Sequence, residues 1–498
     1  MLFNSYLFIL CFLPVSVTGY FLINRYFVDK REYGKRLWLI AASLIFFAYA
    51  GIEFVPILMA SMGVNYLFSK AVKKQTHTQK RRFILALGIS VQLLLLFYYK
   101  YTGFLFHSLN QIWQNNIVFS VQAPLGISFF TFSQLSYLVD CYKGKDKEKG
   151  FLNYCTYVTF FPKLTMGPIA LPNDFLPQLR SQEKEQINYN NLSKGLYLFA
   201  LGLAKKVLIA DTLAKIVSIG YSQVDSLNTI TALVVMLSYT FQLYFDFSGY
   251  CDMAMAVALF FNIELPLNFN SPYRAKSIRE FWSRWHMTLT RFFTTYLYIP
   301  LGGSRKGKLR TYGNTFFVFL ISGLWHGANW TFLFWGGLHG AVMVLEKITE
   351  DLKPAVKHLP PAATKIKSFL QWLTTFLVIN VAWVFFRADS IKQAKLFLSR
   401  LFVGGWQLSE KIREYVLDII EIRVIKRLGM GRVLETRTTE AVILLLLILL
   451  ILCIFGKNAK EKTEGLNYTI KNALITMVLL VWCVISLSNV SEFLYFEF

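Results

Sequence analysis

His326 is the residue of this chain with the clearest capacity for chemistry. It sits in Gly-Leu-Trp-His-Gly-Ala-Asn-Trp, residues Gly323 to Trp330, inside a stretch from Thr311 to Leu345 that holds no Asp, Glu, Lys or Arg. An imidazole titrates near neutral pH, so it can take a proton from a hydroxyl and hand it to a leaving group. In an apolar surrounding it also needs partners or a water-filled cavity, and an ionisable group at membrane depth marks a functional site by default. The plainer alternative is a hydrogen bond to a neighbouring helix. A second histidine, His286, follows Trp282 and Trp285; a third, His339, lies near Glu346 and reads as structural. Two carboxylates, Asp246 and Asp252, interrupt another apolar run. No Gly-x-Ser-x-Gly nucleophile motif is present. The six cysteines, at 11, 141, 155, 251, 453 and 483, have no metal-like spacing. They read as small apolar residues, so neither a disulfide framework nor a metal site is expected.

These residues need elements to hold them. Thr311–Leu345 is longer than the about 20 residues that cross a bilayer. It must be two helices, or one span and a bent piece, with Gly323, Gly327, Gly336, Gly337 and Gly340 where helices approach or turn. His286 belongs to a basic segment that begins at Asn268. There Asn270-Ser271-Pro272 reads as a helix start, with proline in the first turn. One helix onward from it would gather Phe281, Trp282, Trp285 and His286 on one face and leave Arg279 and Arg284 off it. His286 is then expected to point into protein beneath Trp282, on an amphipathic helix at the cytoplasmic interface. Asp246 and Asp252 are expected to pair with arginines of this following loop.

The remaining chain reads as an all-α polytopic membrane protein. Over half of its residues are hydrophobic and only 16% are charged. Met1–Asn24 reads as a retained first span, since no basic region precedes it and no cleavage signal follows. Leu37–Phe68 suggests two short helices. Phe83–Tyr99 and Pro124–Val139 cross next. Phe151–Leu171 is broken by Pro162, Gly167 and Pro168, as a re-entrant wall or a kinked helix. Asn191–Gly220, Thr229–Phe261, Phe369–Phe386, Ala441–Phe455 and Ala473–Leu487 are further spans; Leu408–Arg437 is too charged to cross. The net charge of +23 sits in short loops between apolar runs. That is the pattern of cytoplasmic loops beside anionic lipid, and it argues against nucleic acid as a partner. By the same rule Lys143, Lys306 and Lys460 face the cytoplasm and both chain ends face outside. Neither a repeat nor a separate soluble domain is evident, so residues 1–498 are expected to form one integral membrane domain.

Several motifs together resemble the membrane-bound O-acyltransferases: Pro124-Leu-Gly-Ile-Ser-Phe-Phe-Thr-Phe, Phe245-Asp-Phe-Ser-Gly-Tyr, Asn268-Phe-Asn-Ser-Pro-Tyr, Arg284-Trp-His with Tyr298-Ile-Pro-Leu-Gly-Gly, Leu324-Trp-His-Gly-Ala-Asn-Trp and Ala382-Trp-Val-Phe-Phe-Arg-Ala. The resemblance is to the bacterial branch that acetylates alginate, cellulose or peptidoglycan, and it runs along nearly the whole chain. It implies a multi-helix fold around a central pore, with re-entrant and interfacial helices, in a bacterial cytoplasmic membrane. It implies a thioester donor in the cytoplasm, acetyl-CoA, and an exported partner of the Ser-Gly-Asn-His hydrolase type that completes transfer to a polysaccharide. His326 matches the family's principal catalytic histidine and His286 its second. The C-terminal tail, residues 491–498, resembles aromatic tails of this branch, and its Tyr495 is expected to relay the acyl group; an aromatic anchor at the membrane surface is the plainer alternative. Two other functions compete: transfer of D-alanine toward teichoic acids, and transport without chemistry along a polar path through Asp246 and Asp252.

Overall fold

The computed structural model describes residues 1–26, 31–113, 119, 121–145, 150–180, 186–352 and 360–489. The tail 491–498, with Tyr495, lies outside the described residues, as does the end of the Lys143–Lys149 loop. Every regular element among the described residues is helical.

A π-turn at Phe8–Phe12 leads into α1 (Leu13–Tyr26), and α2 (Arg31–Ala48) returns beside it. Helices α3 (Val55–Lys74) and α4 (Thr78–Lys100) follow, then the short α5 (Thr102–Trp113) and the buried α6 (Ile127–Tyr142). The segment with the predicted break is α7 (Phe151–Thr159), α8 (Phe161–Leu164) and α9 (Pro172–Phe175), almost all of it buried. Pro162 and the close approach at Gly167 stop it from continuing as one helix; a Cβ on Gly167 would lie 2.3 Å from the Pro162 carbonyl oxygen. Next come α10 (Tyr189–Ala204), a π-turn at Lys205–Ala210, α11 (Asp211–Ser222) and α12 (Thr229–Phe260). Helix α12 is mostly apolar and buried along nearly its whole length, which marks it as the centre of the protein. After α13 (Ile278–Trp282) and α14 (Met287–Phe293) stand the hairpin helices α15 (Lys308–His326) and α16 (Trp330–Leu352), then α17 (Pro361–Arg387). The end of the chain adds α18 (Ile391–Arg400), α19 (Glu410–Asp418), α20 (Ile420–Ile425), α21 (Gly431–Thr436), α22 (Thr438–Phe455), α23 (Ala459–Glu464) and α24 (Ile470–Ile485).

Five of the described helices or helical runs are long and apolar enough to cross a bilayer: 52–74, 78–100, 229–260, 361–387 and 438–455. The outer ones show lipid-suited residues to the outside, as Leu444, Leu447, Ile448 and Ile451 do on α22. The basic segments 70–82, 298–310 and 456–471 gather at one end of the bundle. Arg81 at the start of α4 donates to the Tyr142 carbonyl at the end of α6. Tyr296 donates to Asp140, and Arg274 to the Gly456 carbonyl. At the opposite end α2, α4 and α24 terminate and α3 and α6 begin. Two buried hydrophobic clusters fill the interior; Trp325 belongs to one, Trp285 and Trp335 to the other.

Three expectations are corrected here. Asp246 and Asp252 do not pair with loop arginines. Lys206 binds Asp246 at 2.7 Å and Asp211 at 2.9 Å, and Lys205 binds Asp252 at 2.6 Å. The π-turn between α10 and α11 carries both lysines on its α12 side, and the crossing is tight enough that a Cβ on Gly202 would lie 2.7 Å from the Gly249 carbonyl oxygen. The segment from Pro272 is not one helix: a 3₁₀ turn at Pro272–Arg274 gives way to α13, capped by Ser277, and His286 breaks the chain before α14. His286 consequently does not lie beneath Trp282, whose indole N–H donates instead to His339 Nδ1 at 3.3 Å.

Candidate active site

Helices α15 and α16 form the hairpin that carries His326. Gly327 ends α15 in an extended conformation, and the Asn329 side chain accepts the Thr331 N–H to start α16. The two helices press together at glycine: a Cβ on Gly323 would meet the Phe332 carbonyl at 2.3 Å, and one on Gly336 the Phe319 carbonyl at 2.4 Å. This holds the last residue of α15 in the interior, and His326 is 3% exposed. Its ring is caged by Trp325 at 4.8 Å, Trp335 at 5.1 Å and Phe386 at 5.3 Å between centroids. Because Trp325 and Trp335 come from different hydrophobic clusters, His326 stands on the seam between the two halves of the interior.

His286 is brought to the same seam, its ring centre 6.2 Å from that of His326. Its backbone is left-handed (φ 45°), a conformation rare for a residue with a Cβ and one that concentrates at functional sites. Hydrogen bonds on both sides enforce it. The Met287 N–H donates to the Asn268 carbonyl at 2.9 Å, and the Thr290 N–H to the His286 carbonyl at 3.1 Å. The Asn268 side-chain oxygen accepts from the Thr288 N–H at 3.2 Å and the Thr288 hydroxyl at 2.8 Å. Facing that acceptor at 3.1 Å, His286 Nδ1 must be the protonated nitrogen, so Nε2 carries the lone pair. His339 sits in the same aromatic cluster, 4.8 Å from Trp335, with its Nδ1 occupied by Trp282. A structural part is what this arrangement gives it.

Two cavities approach the seam from opposite ends of the bundle. A funnel of about 620 Å³ opens at the end away from the basic segments, lined by Met1, Tyr49, Lys100, Pro124, Thr165 and Trp325, with His326 at its floor. Thr165 and Met166, at the tip of the broken α7–α9 segment, form part of its wall, as a re-entrant piece would. A narrower cleft of about 330 Å³ enters from the basic end, between Arg279 and Lys347 at its rim and Trp282, Phe293, Phe319 and Ser322 within. Ser322 and His326 are one turn apart on α15, so the cavities end about 6 Å apart along the helix axis. Among the described residues no group of three or more His, Cys, Asp or Glu side chains is gathered as a metal ion would require.

The sequence reading missed Asn268 as the group that orients His286, and Lys100, whose ammonium reaches the Trp325 and His326 carbonyl oxygens at 2.6 and 3.3 Å. A signal for Lys100 existed: it is a lone cation at the end of an apolar run, remote from the basic loops.

The description of the membrane-bound O-acyltransferase family matches residues 116–386. A peptidoglycan O-acetyltransferase of Helicobacter pylori is 37% identical, with 100% of this chain and 98% of the relative covered. A probable alginate O-acetylase of Pseudomonas aeruginosa is 34% identical over 82% of this chain and 76% of its own. A teichoic acid D-alanyltransferase of Bacillus subtilis is 26% identical over 56% of this chain and 71% of its own. With the family description matching more than half of the chain and a relative of this identity covered along its length, the chain belongs to the membrane-bound O-acyltransferase family and is an O-acyltransferase.

Proposed function

We propose that this protein carries an acetyl group from a cytoplasmic thioester, acetyl-CoA, through the membrane to an exported acceptor, for O-acetylation of a cell-wall or extracellular polysaccharide. The observation that carries the reading is the approach of two cavities from opposite ends to within one turn of α15, the funnel reaching His326 and the cleft reaching Ser322. The basic end is the cytoplasmic one by the charge rule, so the cleft rimmed by Arg279 and Lys347 receives the anionic donor and the funnel receives the hydroxyl. His326 takes the proton of that hydroxyl, the oxygen attacks the thioester carbonyl, the C–S bond breaks, and the proton passes to the departing thiolate. No net proton is consumed. His286, fixed through Asn268 with its ring centre 6.2 Å from that of His326, helps to orient the catalytic imidazole. The full-length likeness to a peptidoglycan acetyltransferase supports acetyl over D-alanyl, since the D-alanyl relatives match only about half of this chain. An exported partner of the Ser-Gly-Asn-His hydrolase type would finish the transfer.

The test is purified protein with acetyl-CoA labelled in the acetyl group, wild type against His326→Ala. A general base contributes about 10²- to 10⁴-fold, so the variant should lose at least about 100-fold in thioester turnover while it still purifies with a normal melt. Turnover near wild type would remove His326 as the base.

A further inference from the structure

Among the described side chains that line the funnel, Lys100 is the one lysine or arginine, and acyl transfer through His326 does not use it. It ends α4 in Phe97-Tyr-Tyr-Lys, at the end of the bundle opposite the basic segments. A lysine at a helix end ordinarily extends its stem outward and leaves the ammonium in water or headgroups. Lys100 turns inward instead. Its Nζ donates to the Trp325 carbonyl at 2.6 Å and the His326 carbonyl at 3.3 Å, and stands 5.8 Å from the centre of the Trp325 ring. Those carbonyls are the last of α15. They close the C-terminal end of that helix and carry the negative end of its dipole. A cation supplied by α4, far away in sequence, thus closes the helix whose terminal side chain is His326.

We infer that Lys100 is a positioning residue of the acyl transfer: its ammonium pins the last turn of α15, and His326 with it, and fixes a positive charge at the funnel floor. The glycine contacts with α16 and the surrounding rings hold the α15 terminus from its side-chain faces, and the Lys100 tether adds a clamp on its carbonyl end, the end that faces an acceptor entering the funnel. This rests on the reading of His326 as the base, and the two can fail separately. An active His326→Ala removes that reading; an inactive His326→Ala beside a fully active Lys100→Met removes only the role of Lys100.

Lys100→Met should lower kcat by roughly 100-fold, the loss expected when a catalytic group moves by about 1 Å, with KM for acetyl-CoA nearly unchanged because the donor cleft is on the other side. Lys100→Arg, which keeps donors and charge, should recover much of it. A normal kcat in Lys100→Met, or a loss confined to KM, would overturn the inference. A structural role alone is separated from this one by changing the charge after folding. Lys100→Cys is prepared with Cys11→Ala, since Cys11 is the exposed cysteine and the other five are buried. Alkylation by 2-bromoethylamine then rebuilds a lysine-length cationic side chain, the Cys sulfur displacing bromide; 2-bromoethanol adds a neutral chain of equal length. Restored turnover with the amine alone supports the inference. Restoration by both reagents shows that filling the space suffices, restoration by neither shows that the ammonium is not what was lost, and either result overturns it.

Discussion

His326 and His286 face each other across the seam, and their surroundings differ in kind. His326 has rings around it, which fix its plane. His286 has an acceptor, Asn268, which commits its Nδ1 proton. Asn268→Leu should therefore free the His286 ring and strip the acceptor from Thr288. A buried polar group left without a partner costs about 1–3 kcal/mol, so a lower melting temperature in detergent is expected together with a loss of acetyl transfer of about tenfold or more. Asn268→Asp keeps the accepting oxygen and should retain more activity than Asn268→Leu; equal losses would show that the oxygen does not orient His286. The sequence exposed His326 because an imidazole among apolar residues has few explanations. It misplaced His286 because helical spacing put it beneath Trp282, whereas a left-handed residue at 286 turns the chain between α13 and α14. Nothing local announces that turn, since the residue is neither glycine nor asparagine; it is imposed by Asn268 and Asn270, which pair with Met287 and Arg284.

At the scale of elements, the α15–α16 hairpin was legible: an apolar stretch too long for one span, with glycines where the two helices touch. The break at Pro162 and Gly167 was legible for the same kind of reason. The charged pairs of α12 were not. Their partners lie in the preceding helix, where two adjacent lysines would point about 100° apart on a regular turn. The π-turn at Lys205–Ala210 alters that spacing, and its presence depends on packing against α12, which a sequence read locally does not contain. The pairs make a quantitative comparison possible. The Lys206 side chain is 1% exposed and bridges Asp246 and Asp211, whereas Lys205 is 18% exposed and holds Asp252 alone. Removing one partner of a buried ion pair costs about 3–5 kcal/mol, because the remaining charge is stranded. Lys206→Met should accordingly reduce the melting temperature or the yield of folded protein sharply, and Lys205→Met clearly less. Equal effects would mean that the triad is hydrated and not an internal strut. The same pairing weakens the idea of a transporter, because the two carboxylates expected to make a polar path are tied to lysines.

For the whole molecule, sidedness decides which cavity serves which substrate. The basic segments gather at one end, so cysteines placed at Lys306 and Lys460 should resist an impermeant thiol reagent added outside intact cells, and labelling of position 306 from outside would reverse the assignment of donor cleft and funnel. The long apolar helices 78–100, 229–260, 361–387 and 438–455 could be read from hydropathy; the funnel could not, because it is built from the ends of α2, α4, α6 and α15, which are far apart in sequence. The end of the chain belongs to this scale too. The last described α-helix, α24, finishes at the funnel end, where the Val484 carbonyl accepts the Tyr6 hydroxyl at 2.9 Å and Met1 forms part of the funnel wall. Tyr495 is outside the described residues, six positions beyond Asn489, a separation that extended chain can span to about 20 Å. We propose that its phenol is the hydroxyl that receives the acetyl group. His326 takes the phenolic proton, the oxygen displaces the thiolate, and the thiolate recovers the proton; a serine of the exported partner then attacks the aryl ester and frees the phenol. A phenol, with a pKa near 10, leaves far more readily than a serine alkoxide, so the ester is primed for the second transfer. Tyr495→Phe keeps the ring and any anchoring at the membrane surface and removes only the hydroxyl. It should abolish polysaccharide acetylation while labelled acetyl-CoA still binds, and no label should remain on the protein after a brief incubation without partner, where wild type should retain one acetyl group per chain. Acetylation at the normal rate by Tyr495→Phe would leave the tail as an anchor and put the acceptor hydroxyl on the partner itself.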